Sequence, residues 1–256
     1  MPIWPFTAAE RRRRALAALP PCALPATLDL SAMQRVLVFA PHPDDETLGC
    51  GGTLARLAGQ CAIKVVLVTD GSGAGGLPAG SDRIRQNEFA AALARLGIKD
   101  HCCLQQPDGH FVANARLADE VRRLLADFQP DHIFLPSPVD YHRDHLRIAD
   151  FLVPLCQQVP SLKALLHYEI WAPLPASHIV DITEQWPQKA AALAEHRTAM
   201  ACGDYLRAIE GLNRYRGLYL GRERFAEAFL LTPARRPGLF TPLLDACLRL
   251  IAGDKP

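Results

Sequence analysis

Short apolar runs alternate with longer amphipathic segments between residues 35 and 138. The apolar runs at 35–41, 62–69 and 132–138 are rich in Val, Ile and Leu and predict strands, and a further short strand is predicted at 101–106. The segments between them predict helices at 48–60, 82–97 and 115–130. Apolar strands that alternate with helices are typical of a parallel sheet covered on both faces. We therefore predict an α/β fold with a mainly parallel β-sheet flanked by helices on both faces, a Rossmann-like three-layer sandwich in a single domain.

The second half of the chain has a less regular pattern. It predicts strands at 164–171 and 177–182, helices at 186–200 and 204–216, a short apolar segment at 227–231 and an amphipathic docking helix at 240–253. No internal repeat or low-complexity linker divides the chain. Residues 1–34 precede the first predicted strand and are expected to form an N-terminal helical extension.

Composition and charge exclude several classes of protein. The formal net charge of +1 supplies no field that would attract nucleic acid or an anionic membrane, so neither is an expected partner. No stretch approaches the roughly 18 apolar residues of a transmembrane segment. Prolines at 20, 21 and 25 interrupt the apolar run that follows the basic block 10–14, which argues against a signal peptide. Eight scattered cysteines without a CxxC pair indicate a reduced, cytoplasmic protein without a thiolate metal site.

The first predicted strand ends in a cluster of acids, "APHPDDETLGCGG". His42, Asp44, Asp45 and Glu46 follow the strand at its carboxyl end, where open α/β sheets bind ligands. A helix cap would account for one aspartate, but it needs neither a second acid nor the histidine. A divalent cation would neutralise the cluster, and the spacing of His42 and Asp45 lets one turn aim both at a single ion.

A second cluster, "DYHRDH", follows the strand predicted at 132–138. It contains Asp140, His142, Asp144 and His145. Together the two clusters offer two histidines and one or two carboxylates, which leaves positions for water and is typical of catalytic coordination. Fe(II) oxygenases use the same donors, but they usually place them on a β-barrel.

Two glycine-rich stretches are poor candidates for phosphate binding. "GCGG" at 49–52 has Leu54 where a dinucleotide fold needs its third glycine, and the acids before it would repel pyrophosphate. "GSGAGGLP" at 71–78 lacks the Lys and Ser/Thr of a P-loop. Helix packing is the expected reason for Gly51 and Gly52, and a loop over the strand ends is expected at 71–81.

The two acidic motifs resemble those of the PIG-L/LmbE-like zinc deacetylases, which remove acetyl groups from N-acetylglucosaminyl substrates. "LVTDGSG", "RQNEFAAALARLG" and "QPDG" resemble further segments of that family, so the resemblance covers most of the chain and implies a deacetylase domain at 35–256. The sequence departs from the family's motifs in two places. Arg143 stands where proline is frequent, and "HRT" at 196–198 replaces His-Ser-Gln. Because of the second departure, no role is transferred to His196.

The resemblance implies a role for eight residues. One Zn²⁺ per chain, or Fe²⁺ or another divalent ion in its place, would be bound by His42, Asp45 and His145. Asp44 would be the general base, and His142, kept cationic by a hydrogen bond to the Asp144 carboxylate, would stabilise the oxyanion. The family further implies that Arg85 contacts the sugar and that Asp108 lies near the pocket.

The predicted function is therefore a zinc-dependent hydrolase that removes the N-acetyl group from an N-acetylglucosamine-type amino sugar or its conjugate. Its partner would be this small molecule, and a homo-oligomer is compatible with the sequence. One alternative is a metal-dependent phosphoesterase, which would favour two ions and more ligands. Another is a non-catalytic sugar-binding protein of the same fold, which would not need Asp44.

Overall fold

The computed structural model describes residues 24–73 and 80–234, and eight strands of these ranges form one sheet. The strands are β1 (Ala26–Thr27), β2 (Arg35–Ala40), β3 (Ala62–Thr69), β4 (Asp100–Gln106), β5 (His132–Pro136), β6 (Ala164–Tyr168), β7 (His178–Asp181) and β8 (Ala226–Pro233). The helices are α1 (Asp45–Leu57), α2 (Ser81–Arg95), α3 (Ala115–Phe128), α4 (Arg143–Cys156), α5 (Trp186–Leu193), α6 (Arg197–Cys202) and α7 (Tyr205–Gly217).

The strand order places the two acidic motifs side by side. Across the sheet the order is β1-β7-β8-β6-β5-β2-β3-β4, and every neighbouring pair is parallel except the two that include β8. The prediction of a mainly parallel sheet is confirmed. Because β2 and β5 are parallel neighbours, with Val36 opposite His132 and Val38 opposite Phe134, the loops that follow them leave the same edge of the sheet together.

Both faces of the sheet are buried, as the solid apolar strands predict. In β2, Val36, Val38 and Ala40 belong to one apolar cluster, whereas the alternating Leu37 and Phe39 belong to the other. Helices α1 and α2 supply side chains to the first cluster, and α3 and α4 to the second. The domain is therefore the predicted three-layer α/β sandwich. No described helix is both long and apolar enough to cross a membrane.

The structure differs from the pattern in three places. The helix predicted at 186–200 is two helices, α5 and α6, and His196 between them is fully buried. Helix α4 forms where the pattern predicts none, because its apolar face packs on the core despite an internal proline, Pro154. Residues 24–34 contain β1 and no helix, so this part of the expected helical extension is wrong. Residues 1–23 and the helix expected at 240–253 lie outside the described residues.

A buried ion pair attaches α1 to the rest of the domain. Lys189 Nζ lies 2.7 Å from Glu227 Oε1, and both side chains are fully buried. The Glu227 carboxylate accepts hydrogen bonds from the N–H groups of Gly52 and Thr53, while Lys189 donates to the carbonyl oxygen of Leu48. The contacts fix the position of α1, whose first turn carries the acidic motif.

Glycines in α1 allow close packing, as expected for Gly51 and Gly52. A Cβ on Gly52 would lie 2.8 Å from side-chain carbons of Ile182, and one on Gly51 would lie 3.3 Å from Thr47 Cγ2 and in ordinary contact with Lys189. The closest approach is at Gly49, where a Cβ would lie 2.3 Å from Tyr168 Cδ2. The Tyr168 ring is buried and its hydroxyl donates to the Phe39 carbonyl oxygen at 2.6 Å, so it has little freedom to move.

We expect Gly49→Ala to lower the free energy of unfolding by about 1–3 kcal/mol, the usual cost of overpacking a core. The matched control is Gly211→Ala in α7, where a Cβ meets no atom within 4 Å. The control should raise the free energy of unfolding by up to about 1 kcal/mol, because alanine favours a helix interior. Urea unfolding followed by circular dichroism measures both. Equal stability of the Gly49 variant and wild type would contradict the packing argument.

Candidate metal centre

The first motif forms the turn between β2 and α1. Asp44 occupies the N-cap position of α1, but its side chain makes no capping hydrogen bond. Asp45 Oδ2 instead accepts the backbone N–H of His42 at 2.8 Å, which folds the turn so that both side chains face the same point. A capping role therefore does not account for Asp44.

The second motif forms the turn between β5 and α4. His142 is the N-cap residue of α4, and its Nδ1 accepts the backbone N–H of Asp144 at 3.3 Å. Asp140 Oδ1 accepts the backbone N–H of His142 at 2.8 Å. These bonds hold the turn and place His145, fully buried, in the first turn of the helix.

Three donor atoms from the two motifs form an equilateral triangle. His42 Nδ1, Asp45 Oδ2 and His145 Nε2 lie 3.1 Å from one another, although the histidines are 103 positions apart. We call these three atoms the donor triangle. The spacing of the three atoms suits three ligands of a single ion with bonds of about 2.0–2.2 Å. The residues present therefore fit a divalent metal ion.

The other nitrogen of each histidine faces a carboxylate. His42 Nε2 lies 3.2 Å from Asp108 Oδ1 and 3.6 Å from Asp144 Oδ2, and His145 Nδ1 lies 3.3 Å from Asp140 Oδ2. These are close charge contacts rather than well-aligned hydrogen bonds. Such carboxylates orient metal-binding imidazoles and favour the tautomer whose free nitrogen faces the metal.

The groups of the donor triangle stabilise one another's charged forms. Burial lowers the pKa of His42, but contacts with Asp108, Asp144 and Asp45 raise it by more, to well above its ordinary value. Burial likewise lowers the pKa of His145, while Asp45 and Asp140 raise it to about 9. Burial raises the pKa of Asp45, but His145 and His42 bring it well below its ordinary value. A metal ion would displace protons from this cluster on binding.

Asp44 lies beside the donor triangle and is not part of it. Burial, followed by the charge of Asp45, raises the pKa of Asp44 to about 7, against the opposing charges of Arg85, His196 and His42. Arg85 Nη2 lies 3.7 Å from Asp44 Oδ2. A carboxyl group with a pKa near neutrality can both accept and return a proton.

Arg85 and Asp108 lie beside Asp44 and His42, as expected for residues of the candidate site. Arg85 Nη1 donates to the Gly71 carbonyl oxygen at 2.9 Å and to Asp108 Oδ2 at 3.3 Å, and the arginine is only 4% exposed. The guanidinium group therefore holds Asp44 and Asp108 in place from α2. A contact between Arg85 and the sugar stays a prediction.

The expected hydrogen bond between the Asp144 carboxylate and the His142 ring is wrong. Asp144 Oδ2 accepts the Gly109 N–H at 2.7 Å, and only the backbone N–H of Asp144 reaches His142 Nδ1. Burial, together with the charges of His42 and His145, lowers the pKa of His142. The direction of this shift is opposite to the one that a cationic His142 requires.

Two residues with clear contacts received no role from the sequence. Asp140 was visible in the second motif, and its spacing before His142 was the available signal. His196 is fully buried, with Nε2 3.2 Å from Thr47 Oγ1 and 3.4 Å from Glu46 Oε1. It compensates Glu46, the third acid of the first motif. No local pattern could have predicted this pairing, because the residues are about 150 positions apart.

Further donors surround His42. The ligand atoms of His42, Asp108 and Asp144 lie within 4.8 Å of one another, as do those of His42, His142 and His145. Asp108 and Asp144 are already engaged by Arg85 and the Gly109 N–H. Their charges are thus partly compensated without a second ion.

Comparison with known proteins agrees with the geometry of the site. The model of the PIG-L family, described as GlcNAc-PI de-N-acetylase, matches residues 37–156, a segment that contains both motifs. The deacetylase YaiS of Escherichia coli (strain K12), described as uncharacterized, is 28% identical over 170 residues, which cover 64% of this chain and 90% of YaiS.

Two other proteins extend the comparison. The 1D-myo-inositol 2-acetamido-2-deoxy-alpha-D-glucopyranoside deacetylase of Kineococcus radiotolerans is 36% identical over 101 residues, 36% of this chain and 28% of that protein. The structure of N,N'-diacetylchitobiose deacetylase from Pyrococcus horikoshii has the same fold, with a TM-score of 0.73, 22% identity and coverage of 93% of this chain and 98% of that one. The structural likeness shows a shared fold over almost the whole chain, and the segment 37–156, which carries both motifs, belongs to the PIG-L/LmbE-like family of deacetylases.

Proposed function

We propose that this protein hydrolyses the acetamide of an N-acetylglucosamine-type sugar or its conjugate, using a bound divalent ion. The observation that carries the proposal is the donor triangle with Asp44 beside it, in a segment that belongs to a deacetylase family. The substrate class rests on the related proteins, because the inositol glycoside and the diacetylchitobiose in their names share an N-acetylglucosaminyl group.

The ion is assigned as one Zn²⁺ per chain, held by His42, Asp45 and His145. Two imidazoles and a carboxylate are a frequent donor set for catalytic zinc, and Fe²⁺ accepts the same donors. When bound, such an ion lowers the pKa of a coordinated water and polarises a carbonyl group.

Asp44 is the general base of the proposed reaction. It takes a proton from the attacking water and can return it to the departing amine, since its pKa lies near neutrality. Arg85 holds the carboxylate in position.

Neutral His142 is the proposed donor to the oxyanion. Its Nδ1 is occupied by the Asp144 N–H, so the ring proton of the neutral form lies on Nε2. An N–H preorganised towards the developing negative charge stabilises the transition state. Asp144 acts through its backbone, and its carboxylate supports the Gly109 turn and His42.

The two alternatives predict different geometry. A phosphoesterase would favour two ions, whereas the additional carboxylates near His42 are engaged by Arg85 and Gly109. A sugar-binding protein without catalysis would have no use for a buried Asp44 with a pKa of about 7.

Acetate release from N-acetylglucosamine and its glycosides tests the proposed function. The metal-loaded protein should release acetate, a chelator should abolish the release, and added Zn²⁺ should restore it. The same assay after anaerobic loading with Fe²⁺ compares the acetate release that Fe²⁺ supports with the release that Zn²⁺ supports. Phosphate release from phosphoesters without acetate release from any glycoside would overturn the proposal.

Asp140 is expected to strengthen metal binding through His145. Its Oδ2 faces His145 Nδ1, so Asp140→Ala should lower metal affinity about 10- to 100-fold, the usual effect of losing such a carboxylate. Asp140→Asn should lower the metal affinity less, because its amide oxygen can still accept a hydrogen bond from the backbone N–H of His142. Competition with a chromogenic chelator measures affinity, and Asp119→Ala on the exposed face of α3 is the control. Unchanged affinity in Asp140→Ala would contradict this role.

A further inference from the structure

An aromatic pair lies on the segments that follow β6 and α6. Trp171 and Tyr205 meet edge to face, with ring centroids 5.7 Å apart and an interplanar angle of 80°. Trp171 is 47% exposed, whereas Tyr205 is partly buried. Gly203 packs on the Tyr205 ring so closely that a Cβ there would lie 3.1 Å from Cε2. Tyr205 is therefore held in place and supports Trp171, which presents open aromatic surface.

A buried ion pair holds both ends of the segment that carries Trp171. Glu169 accepts from Arg216 Nε at 3.1 Å and also from Arg216 Nη2, and it accepts the Leu174 N–H at 2.7 Å. Arg216 Nη2 also donates to the Leu174 carbonyl oxygen at 2.8 Å. The two ends of the segment 169–174 are thus attached to α7, the helix that begins with Tyr205. A preformed surface of this kind loses little entropy when a ligand binds.

The aromatic pair borders the metal centre. The Trp171 N–H donates to Asp140 Oδ2 at 3.2 Å, and this oxygen lies 3.3 Å from His145 Nδ1. One carboxylate oxygen therefore separates the Trp171 backbone from a residue of the donor triangle. On the Tyr205 side, burial raises the pKa of the phenol, and the charges of Asp44 and Arg85 also act on it.

A substrate whose acetamide reaches the donor triangle must direct the rest of the molecule outwards. A ring with a face of C–H groups can bury apolar area on an indole without needing hydrogen-bond partners. A small or flexible substituent gains much less from such a surface, because it buries less area and loses more freedom.

We propose that Trp171, supported by Tyr205, binds the group attached to the amino sugar, and that this group is a ring with an apolar face. A second pyranose and an aryl ring share this chemistry. The inference rests on the proposed function and adds a specificity-determining residue to it.

The test compares three substrates of the metal-loaded full chain: N-acetylglucosamine, its p-nitrophenyl glycoside and a disaccharide of two N-acetylglucosamine units. In Trp171→Ala, the preference in kcat/KM for each ring-bearing substrate over the monosaccharide should fall about tenfold, mainly through KM. Trp171→Phe should restore most of it. Tyr215→Ala removes another exposed aromatic ring of α7 and should leave the preference unchanged.

The outcomes separate the inference from the proposed function. A loss for only one of the two ring-bearing substrates identifies which ring the surface accepts and supports the proposal. An unchanged preference in Trp171→Ala overturns it, as does an equal fall in kcat for all three substrates with lowered metal content, since Trp171 would then act only through Asp140. If the wild type releases acetate from none of the three, the proposed function itself fails.

Discussion

Asp44→Asn is expected to lower kcat by about 100- to 10,000-fold while the protein keeps its full metal content. The amide has the shape of the carboxyl group, but it cannot accept a proton from water. Asp44 makes no capping hydrogen bond and lies outside the donor triangle, so neither α1 nor the metal ligands depend on its charge. KM should change little, because the lost interaction is made during proton transfer.

The measurement pairs steady-state acetate release with elemental analysis of the same preparation. Asp119→Asn, which removes an exposed aspartate of α3, is the matched control and should retain wild-type values. Near-normal turnover in Asp44→Asn would show that another group is the base. Loss of metal together with activity would instead make Asp44 a ligand.

His145→Ala should have the second large effect, the loss of the ion itself. The substitution removes one corner of the donor triangle and leaves Asp45 and His42 without their common partner. Two ligands hold a divalent ion far more weakly than three, so we expect metal content to fall well below one per chain and acetate release to fall to background.

The matched control is His101→Ala, which removes an exposed histidine of β4. Circular dichroism of each variant separates metal loss from unfolding, because His145 is fully buried. A folded His145→Ala protein that binds one ion per chain with wild-type affinity would refute the ligand set. His42 would then have to share the ion with other donors, such as His142.

The first half of the fold was predictable because its signals are local. Strands β2, β3 and β5 are apolar runs of strand length, and the predicted bounds of these strands and of β4 agree with the observed ones within two residues. The helix predicted at 186–200 is wrong because its periodicity continues through His196, whose burial against Glu46 interrupts the helix between α5 and α6. Tertiary contact outweighed the local pattern there.

The candidate site, too, was predictable only where its signals are local. Both motifs were recognisable as metal-binding candidates, since acids and histidines at turn spacing need a cation. The role of Asp144 was not, because its carboxylate faces Gly109 and His42 rather than His142, a choice made by the loop after β4.

Local order in the chain indicates which residues are candidates to bind a metal ion: each motif follows a strand, and its side chains share one turn. Only the pairing of β2 with β5 brings the motifs within 3.1 Å of each other. The folded chain also selects the partners of each acid, giving two histidines to Asp45, Arg85 to Asp44 and His196 to Glu46. Charges buried together must be compensated at short range, and short range between distant residues exists only after folding.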